Sequence, residues 1–171
     1  MDREPISWLQ AEPGRVVAER EAMADRAPDM EWFEPGENGF QSGGFEGYGP
    51  EWPIDRTRPE KLHELTDGKR LRLRVEFLQG FPAQPPRLVP LDPEPEVAER
   101  LNEAVHVNSD GSLCMIRHPS QWRTADLAIH LVEKASGWFI EYLAVHKKLI
   151  SEMSKSGLFV STDLDQRIEV L

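Results

Sequence analysis

Asn108-Ser109-Asp110-Gly111-Ser112-Leu113-Cys114-Met115, with Gln121-Trp122 just beyond, decides the reading of this 171-residue chain. Small, turn-forming residues (Asn108, Ser109, Asp110, Gly111, Ser112) lead up to its only cysteine. Such residues read as a loop, where a side chain meets partners rather than a core. A lone cysteine forms no internal disulfide and builds no multi-thiolate metal site. It is either a small buried hydrophobe or a reactive thiol. Its place after a polar turn favours the thiol.

Upstream of the cysteine lies the clearest strand, Leu71 to Leu78. Leu71, Leu73, Val75 and Phe77 alternate with Arg72, Arg74 and Glu76, the period of a half-buried strand. Gly80 and the prolines Pro82, Pro85 and Pro86 stop it, because proline removes backbone donors and stiffens the chain. Arg87 to Leu91 reads as a short strand running out into Asp92-Pro93, and Glu94 to Asn102 as a helical turn. Towards the N-terminus, Pro13 to Arg26 reads as a helix, with proline at a first helical position and Ala and Glu following. Met30 to Glu34 is a strand candidate. Residues 35–50 are rich in glycine and read as loop and turn, with Phe45 to Trp52 a second, irregular strand.

Downstream, one long helix is expected over 125–153. Thr124 suits its N-cap, and Asp126 suits the positive end of the helix dipole. Ala128, Leu131, Val132, Ala135, Phe139, Tyr142 and Leu149 form a stripe at helical spacing. Gly137 inside it costs about 1 kcal/mol relative to alanine without breaking it, and Gly157 lies just past the expected end. These elements predict an α+β domain, a small antiparallel meander with helices packed against it.

Bulk properties agree with one compact domain. Thirty acidic against 20 basic residues give a net charge of −10, which argues against a nucleic-acid surface. No apolar run approaches the length of a membrane span. The start, Met1-Asp2-Arg3-Glu4-Pro5, lacks a signal peptide's apolar core. One unpaired cysteine suits a reducing compartment, so a cytoplasmic location is expected. His63, His130 and His146 show no metal-ligand spacing, and no metal or cofactor is expected. Without a P-loop or dinucleotide-binding glycine pattern, the chain is not expected to activate an acyl group with ATP.

Two of these segments resemble ubiquitin-conjugating enzymes. The family's active-site segment runs Asn-Ser-Asn-Gly-Ser-Ile-Cys-Leu, with a tryptophan eight residues after the cysteine. Here Trp122 follows Cys114 by eight. The family also carries a strand followed by Tyr-Pro-Phe-x-Pro-Pro. Here Leu71 to Leu78 is followed by Phe81-Pro82-Ala83-Gln84-Pro85-Pro86, in the family's order. The resemblance spans about residues 70–150. It implies a ubiquitin-conjugating-enzyme-like fold over 1–171: first helix 13–26, meander 30–92, active-site loop 104–122, central helix 125–153 and tail 154–171. Two further helices normally come after these, and 154–171 is too short for both.

The resemblance also implies a chemistry. Cys114 would accept a protein's C-terminal acyl group as a thioester and pass it to an amine, usually a lysine. In the family, the tetrahedral oxyanion is generally assigned to the Asn of a His-Pro-Asn tripeptide eight residues before the cysteine. Here the tripeptide is Ala104-Val105-His106, and His106 takes the counted place. Some family members carry histidine there and remain active. An imidazole N–H could donate to the oxyanion or support the loop, and a neutral ring could accept the amine's proton. His118, beside Arg117, is near enough in sequence to lower the thiol's pKa, though a solvated loop position is the simpler reading. Trp122 and Phe81 to Pro86 read as braces of the cysteine loop.

Composition rich in Arg, Ala, Pro and Glu hints at a high-GC bacterial source. The resemblance is then to compact bacterial conjugating enzymes of anti-phage operons, some in cyclic-oligonucleotide signalling systems (CBASS). There the acyl donor is the C-terminus of a cGAS-like nucleotidyltransferase, and a ubiquitin-like protein is the second expectation. A separate activating enzyme and a target-protein amine complete the expected partners, with neither nucleic acid nor membrane among them. The end, Ile168-Glu169-Val170-Leu171, has no Gly-Gly tail, so the chain is not read as the donor. The donor tail is expected in a groove between the cysteine loop and the start of the long helix, lined by Thr124 and Leu127. Two rival readings stand beside this one: a non-catalytic binding module of the same fold, and a hydrolase with a Cys–His pair.

Overall fold

The computed structural model of the chain describes residues 7–37, 42–100, 102–155, 158–159 and 161–171. Gly157, expected just past the long helix, lies outside them, as does Leu101 of the expected helical turn. A short helix α1 (Trp8–Ala11) leads into α2 (Pro13–Arg26), with the bounds the sequence suggests and Pro13 at its start. Four antiparallel strands come next in sequential order: β1 (Met30–Phe33), β2 (Gly44–Tyr48), β3 (Arg72–Glu76) and β4 (Arg87–Asp92). A short helix α3 (Leu62–Thr66) sits between β2 and β3. The long helix α4 (Ile129–His146) and a short α5 (Asp163–Ile168) complete the order.

The glycine-rich segment read as loop contains β2, centred earlier than the expected strand. The reason is close approach. A Cβ on Gly44 would stand 2.0 Å from the Val75 carbonyl oxygen and 2.5 Å from the Phe33 ring. Only glycine lets β2 pass this close between its neighbours.

The alternation in β3 delivers its inward set as read: Leu71, Leu73, Val75 and Phe77 are all buried. They meet Met23 of α2, Phe45 of β2 and Leu131, Val132, Ala135 and Trp138 of α4 in one core. The outward set is less simple. Glu76 is only 4% exposed, held between Arg74 and Arg87. Burial pushes its carboxyl above the ordinary range, and the two arginines oppose that. Glu94 to Asn102 holds a single 3-10 turn, Val97–Glu99.

The long helix is shorter at both ends than its apolar stripe suggests. Thr124 is not its N-cap, because the arginine of α2 takes the carbonyls that would extend it. Arg15 donates to Thr124 O at 2.7 Å and to Asp126 O. Asp126 instead closes the turn at Arg123, accepting from its N–H at 2.8 Å. The N-cap is Ala128, whose N–H donates to Glu19 Oε2 at 2.9 Å, so the capping carboxylate comes from a different helix. At the other end Lys148 adopts φ 60°, Lys148 N–H donates to Val145 O, and Leu149 N–H donates to Ala144 O. This is a Schellman stop with lysine at the left-handed position. Leu149 therefore leaves the helix, and the chain doubles back.

Beyond α4 the returning chain folds onto a second, smaller cluster. Leu158, Leu164 and Ile168 pack with Leu62 and Leu65 of α3 and with Ile140 and Ala144 of α4. Arg56 ties this segment down. It forks onto Asp165 at 2.6 and 2.9 Å and donates to Leu158 O and Ser161 O at 3.0 Å. Among the described residues no helix is long and apolar enough to cross a membrane.

Glu19 is fully buried, and burial pushes its carboxyl up while the Ala128 N–H and Arg15 pull it down. Glu19→Ala leaves the Ala128 N–H without its acceptor and Arg15 without its paired carboxylate, and should cost about 3–5 kcal/mol. Glu19→Gln keeps an acceptor without a charge. A carboxyl whose folded value is raised stabilises the fold fully below its unfolded value of about 4.3, and that contribution is lost as pH rises through the folded value. Wild type should therefore gain more stability than Glu19→Gln between about pH 7 and about pH 5. Urea-unfolding midpoints at both pH values check this, and equal gains contradict it.

Candidate functional site

Cys114 closes a small hairpin built on the edge of the sheet. Val107 and Leu113 form an antiparallel bridge, and Leu113 N–H donates to Leu88 O of β4 at 2.9 Å. The turn between them is locked by its own polar side chains. Ser112 donates from both N–H (2.9 Å) and Oγ (2.6 Å) to Asp110 Oδ1, and Asn108 Nδ2 donates to Ser112 Oγ at 3.0 Å. The Ser112 hydroxyl, its N–H and Arg87 hold the Asp110 carboxyl below the usual range. Gly111 takes φ 83°, which the turn requires and a side chain resists.

Two indoles bond backbone carbonyls around this region, one at Pro82 and one at Val105 where the hairpin begins. Trp122 Nε1–H donates to Pro82 O at 2.9 Å, and its ring lies near Phe81. Trp138 Nε1–H donates to Val105 O at 2.7 Å within the core. The residue after Val105 is His106, turned into the left-handed region at φ 55°. Its carbonyl accepts from Cys114 N–H at 2.8 Å. The two expected site residues, Cys114 and His106, are therefore neighbours across the hairpin.

Both line one open groove of about 1620 Å³, with Arg117 beside them. Its far wall is not the start of α4. Thr124 and Leu127 do not line it, since Arg15 and Asp126 already cover that end. The wall is the other end of the helix, Glu141 and Val145, together with the returning chain from Lys148 to Lys155 and residues Leu158, Ser161, Asp163, Leu164 and Arg167. The tail left without a role by the sequence thus supplies part of the groove's far wall.

Cys114 is half-buried, and its Sγ faces the Ile116 carbonyl at 3.8 Å. His106 Nε2 faces Ser154 O at 3.3 Å, and Arg117 Nη2 lies 3.1 Å from both ring nitrogens. Ser154 is itself fixed, donating from N–H (3.2 Å) and Oγ (2.6 Å) to Glu141 Oε1. Burial pushes the Glu141 carboxyl up, while Ser154 and the His106 ring draw it down. Glu141, Ser154 and Arg117 were not legible as site residues. Glu141 offered one weak signal, a carboxylate between Ile140 and Tyr142 in an otherwise apolar run.

His118 is not a partner of the thiol. Its Nδ1 accepts from Ser120 N–H at 3.3 Å and caps the 3-10 turn Pro119–Gln121. His63 bonds Glu60 O, His146 pairs with Glu99, and His130 sits beside Glu133 and Arg26. Among the described residues no group of three His, Cys, Asp or Glu side chains could hold a metal ion.

No protein-family model, curated protein or solved structure matches the chain.

Trp138→Phe keeps the ring but leaves the Val105 carbonyl without its donor, at about 1–3 kcal/mol. The His106 turn loses its anchor, so amide hydrogen exchange at Cys114 should accelerate more than at Val75 in β3. Equal acceleration at both would mean that the indole holds the whole core and not this hairpin.

Proposed function

We propose that the chain is a ubiquitin-conjugating-like acyl carrier with Cys114 as its nucleophile. It takes a protein C-terminus as a thioester and transfers it to an amine. The observation that carries the reading is that partly exposed Cys114 lines an open groove large enough for an extended peptide. An acyl carrier needs both: a thiolate reachable by two partners in turn, and a channel that presents the donor's carbonyl. Further support comes from a helix, a sequential four-stranded antiparallel sheet, a cysteine hairpin on its edge and a long helix, the order expected for the ubiquitin-conjugating-like fold.

The hydrolase reading fits less well. It requires a ring nitrogen within hydrogen-bond reach of the sulfur. Nε2 of His106 faces Ser154 O, Arg117 covers the ring, and Sγ faces the Ile116 carbonyl.

The donor we favour is the C-terminus of a cGAS-like nucleotidyltransferase in a bacterial anti-phage system, with a ubiquitin-like protein second. This preference rests on the sequence resemblance. The groove asks only for a slender tail with a small final residue, because a branched end would crowd the carbonyl that Cys114 attacks.

Protein purified from its native host under non-reducing conditions should carry a mass adduct on Cys114 that thiol reductant removes. Cys114→Ala should fold and carry none, and Cys114→Ser should hold a more stable oxyester. An adduct of unchanged yield in Cys114→Ala overturns the reading. Once the donor is identified from that mass, removing its last one or two residues should abolish the adduct with the donor still folded. An adduct that forms equally well with the shortened donor would rule out C-terminal acyl transfer.

A further inference from the structure

The geometry around His106 points to a different residue for the oxyanion, an inference that rests on the acyl-carrier reading. A carbonyl oxygen only accepts, so the ring nitrogen facing Ser154 O, Nε2, carries its hydrogen there. Ser154 is not free to release it, since Glu141 holds both its N–H and its hydroxyl. The ring's single committed N–H therefore points at the groove's far wall.

Arg117 is arranged the opposite way. Its Nη2 is 3.1 Å from Nδ1 and 3.1 Å from Nε2. One atom that close to both cannot lie in the ring plane beyond Cε1 without overlapping that carbon. The guanidinium therefore rests over the ring face, a contact that orients a cation on a flat ring. Arg117 is exposed and shares the groove with Cys114. A guanidinium has five N–H donors in a rigid fork, and among the described residues its one hydrogen-bonding contact, with the His106 ring, occupies a single terminal nitrogen.

We infer that Arg117 is the oxyanion donor of this site, and that His106 is the platform that positions it. In the transfer step the amine nitrogen attacks the thioester carbonyl carbon and a C–N bond forms. The carbonyl π pair moves onto oxygen, where the Arg117 fork receives the charge. Collapse restores the carbonyl and breaks the C–S bond. Cys114 leaves as thiolate, and the amine's proton passes to solvent. A preorganised cationic donor serves the step that builds charge on oxygen.

The test starts from the finished thioester, so ionisation of the thiol does not enter the measurement. Full-length protein is loaded to completion with the mercaptoethanesulfonate thioester of N-acetylglycylglycine, separated from the reagent, and mixed with n-butylamine. Intact mass follows loss of the acyl group from Cys114. Arg117→Gln should slow discharge about tenfold or more, and Arg117→Lys should recover part of that loss. His106→Phe keeps a flat face but has no ring N–H, so it should slow discharge less than Arg117→Gln does. Far-UV circular dichroism checks that each variant is folded. Discharge of Arg117→Gln within about twofold of wild type overturns the assignment, as does a larger loss in His106→Phe than in Arg117→Gln. Wild type that never takes the acyl group from the reagent overturns the acyl-carrier reading itself.

Discussion

The hydrogen bond from the Trp138 indole to the Val105 carbonyl is the constraint on which the site depends. It lies in the core, where a carbonyl without a donor is costly, so the backbone at Val105 has one place to be. The next residue must then turn sharply, and His106 takes a left-handed conformation that few side chains adopt. That turn aims the His106 carbonyl at the Cys114 amide, which sets the hairpin and brings the thiol to the groove. Trp122 bonds Pro82 in the proline segment ahead of β4. Each of these indoles uses its apolar body for burial and its N–H for direction.

The parts of the fold written in local chemistry were legible. Pro13 marks the start of α2, and the alternation from Leu71 to Phe77 marks β3 and its buried face. The juxtaposition of Cys114 and His106 was legible for the same reason: they lie close in the chain, and their spacing reflects one short hairpin. What escaped was set by distant partners. The start of α4 is decided by Arg15 and Glu19 more than a hundred positions earlier, which no reading of residues 123–129 contains. Its end is decided by a lysine in a conformation usually left to glycine. β2 looked like loop because glycine has poor strand propensity, yet Gly44 is there for what a side chain would strike.

The groove was misplaced for a related reason. Sequence proximity put the start of the long helix beside the cysteine, and that is true of the chain. In space that end is filled by α2 through Arg15, and the open face belongs to residues that return from the helix's far end. Ser154 enters the groove by that return and Glu141 from the last turns of α4, and Ser154 has no local signature.

The two walls of the groove differ in how they are held. The cysteine wall grows from the main sheet, whereas the opposite wall hangs from the smaller apolar cluster and the Arg56–Asp165 fork. Partial opening of that cluster needs far less free energy than global unfolding, because fewer buried contacts are at stake. One wall of the channel is thus anchored in the main core and the other in a smaller one. The width of the channel is tied to residues outside the cysteine hairpin, and a change at Arg56, Leu164 or Ile168 can reshape it while Cys114 and His106 stay as they are.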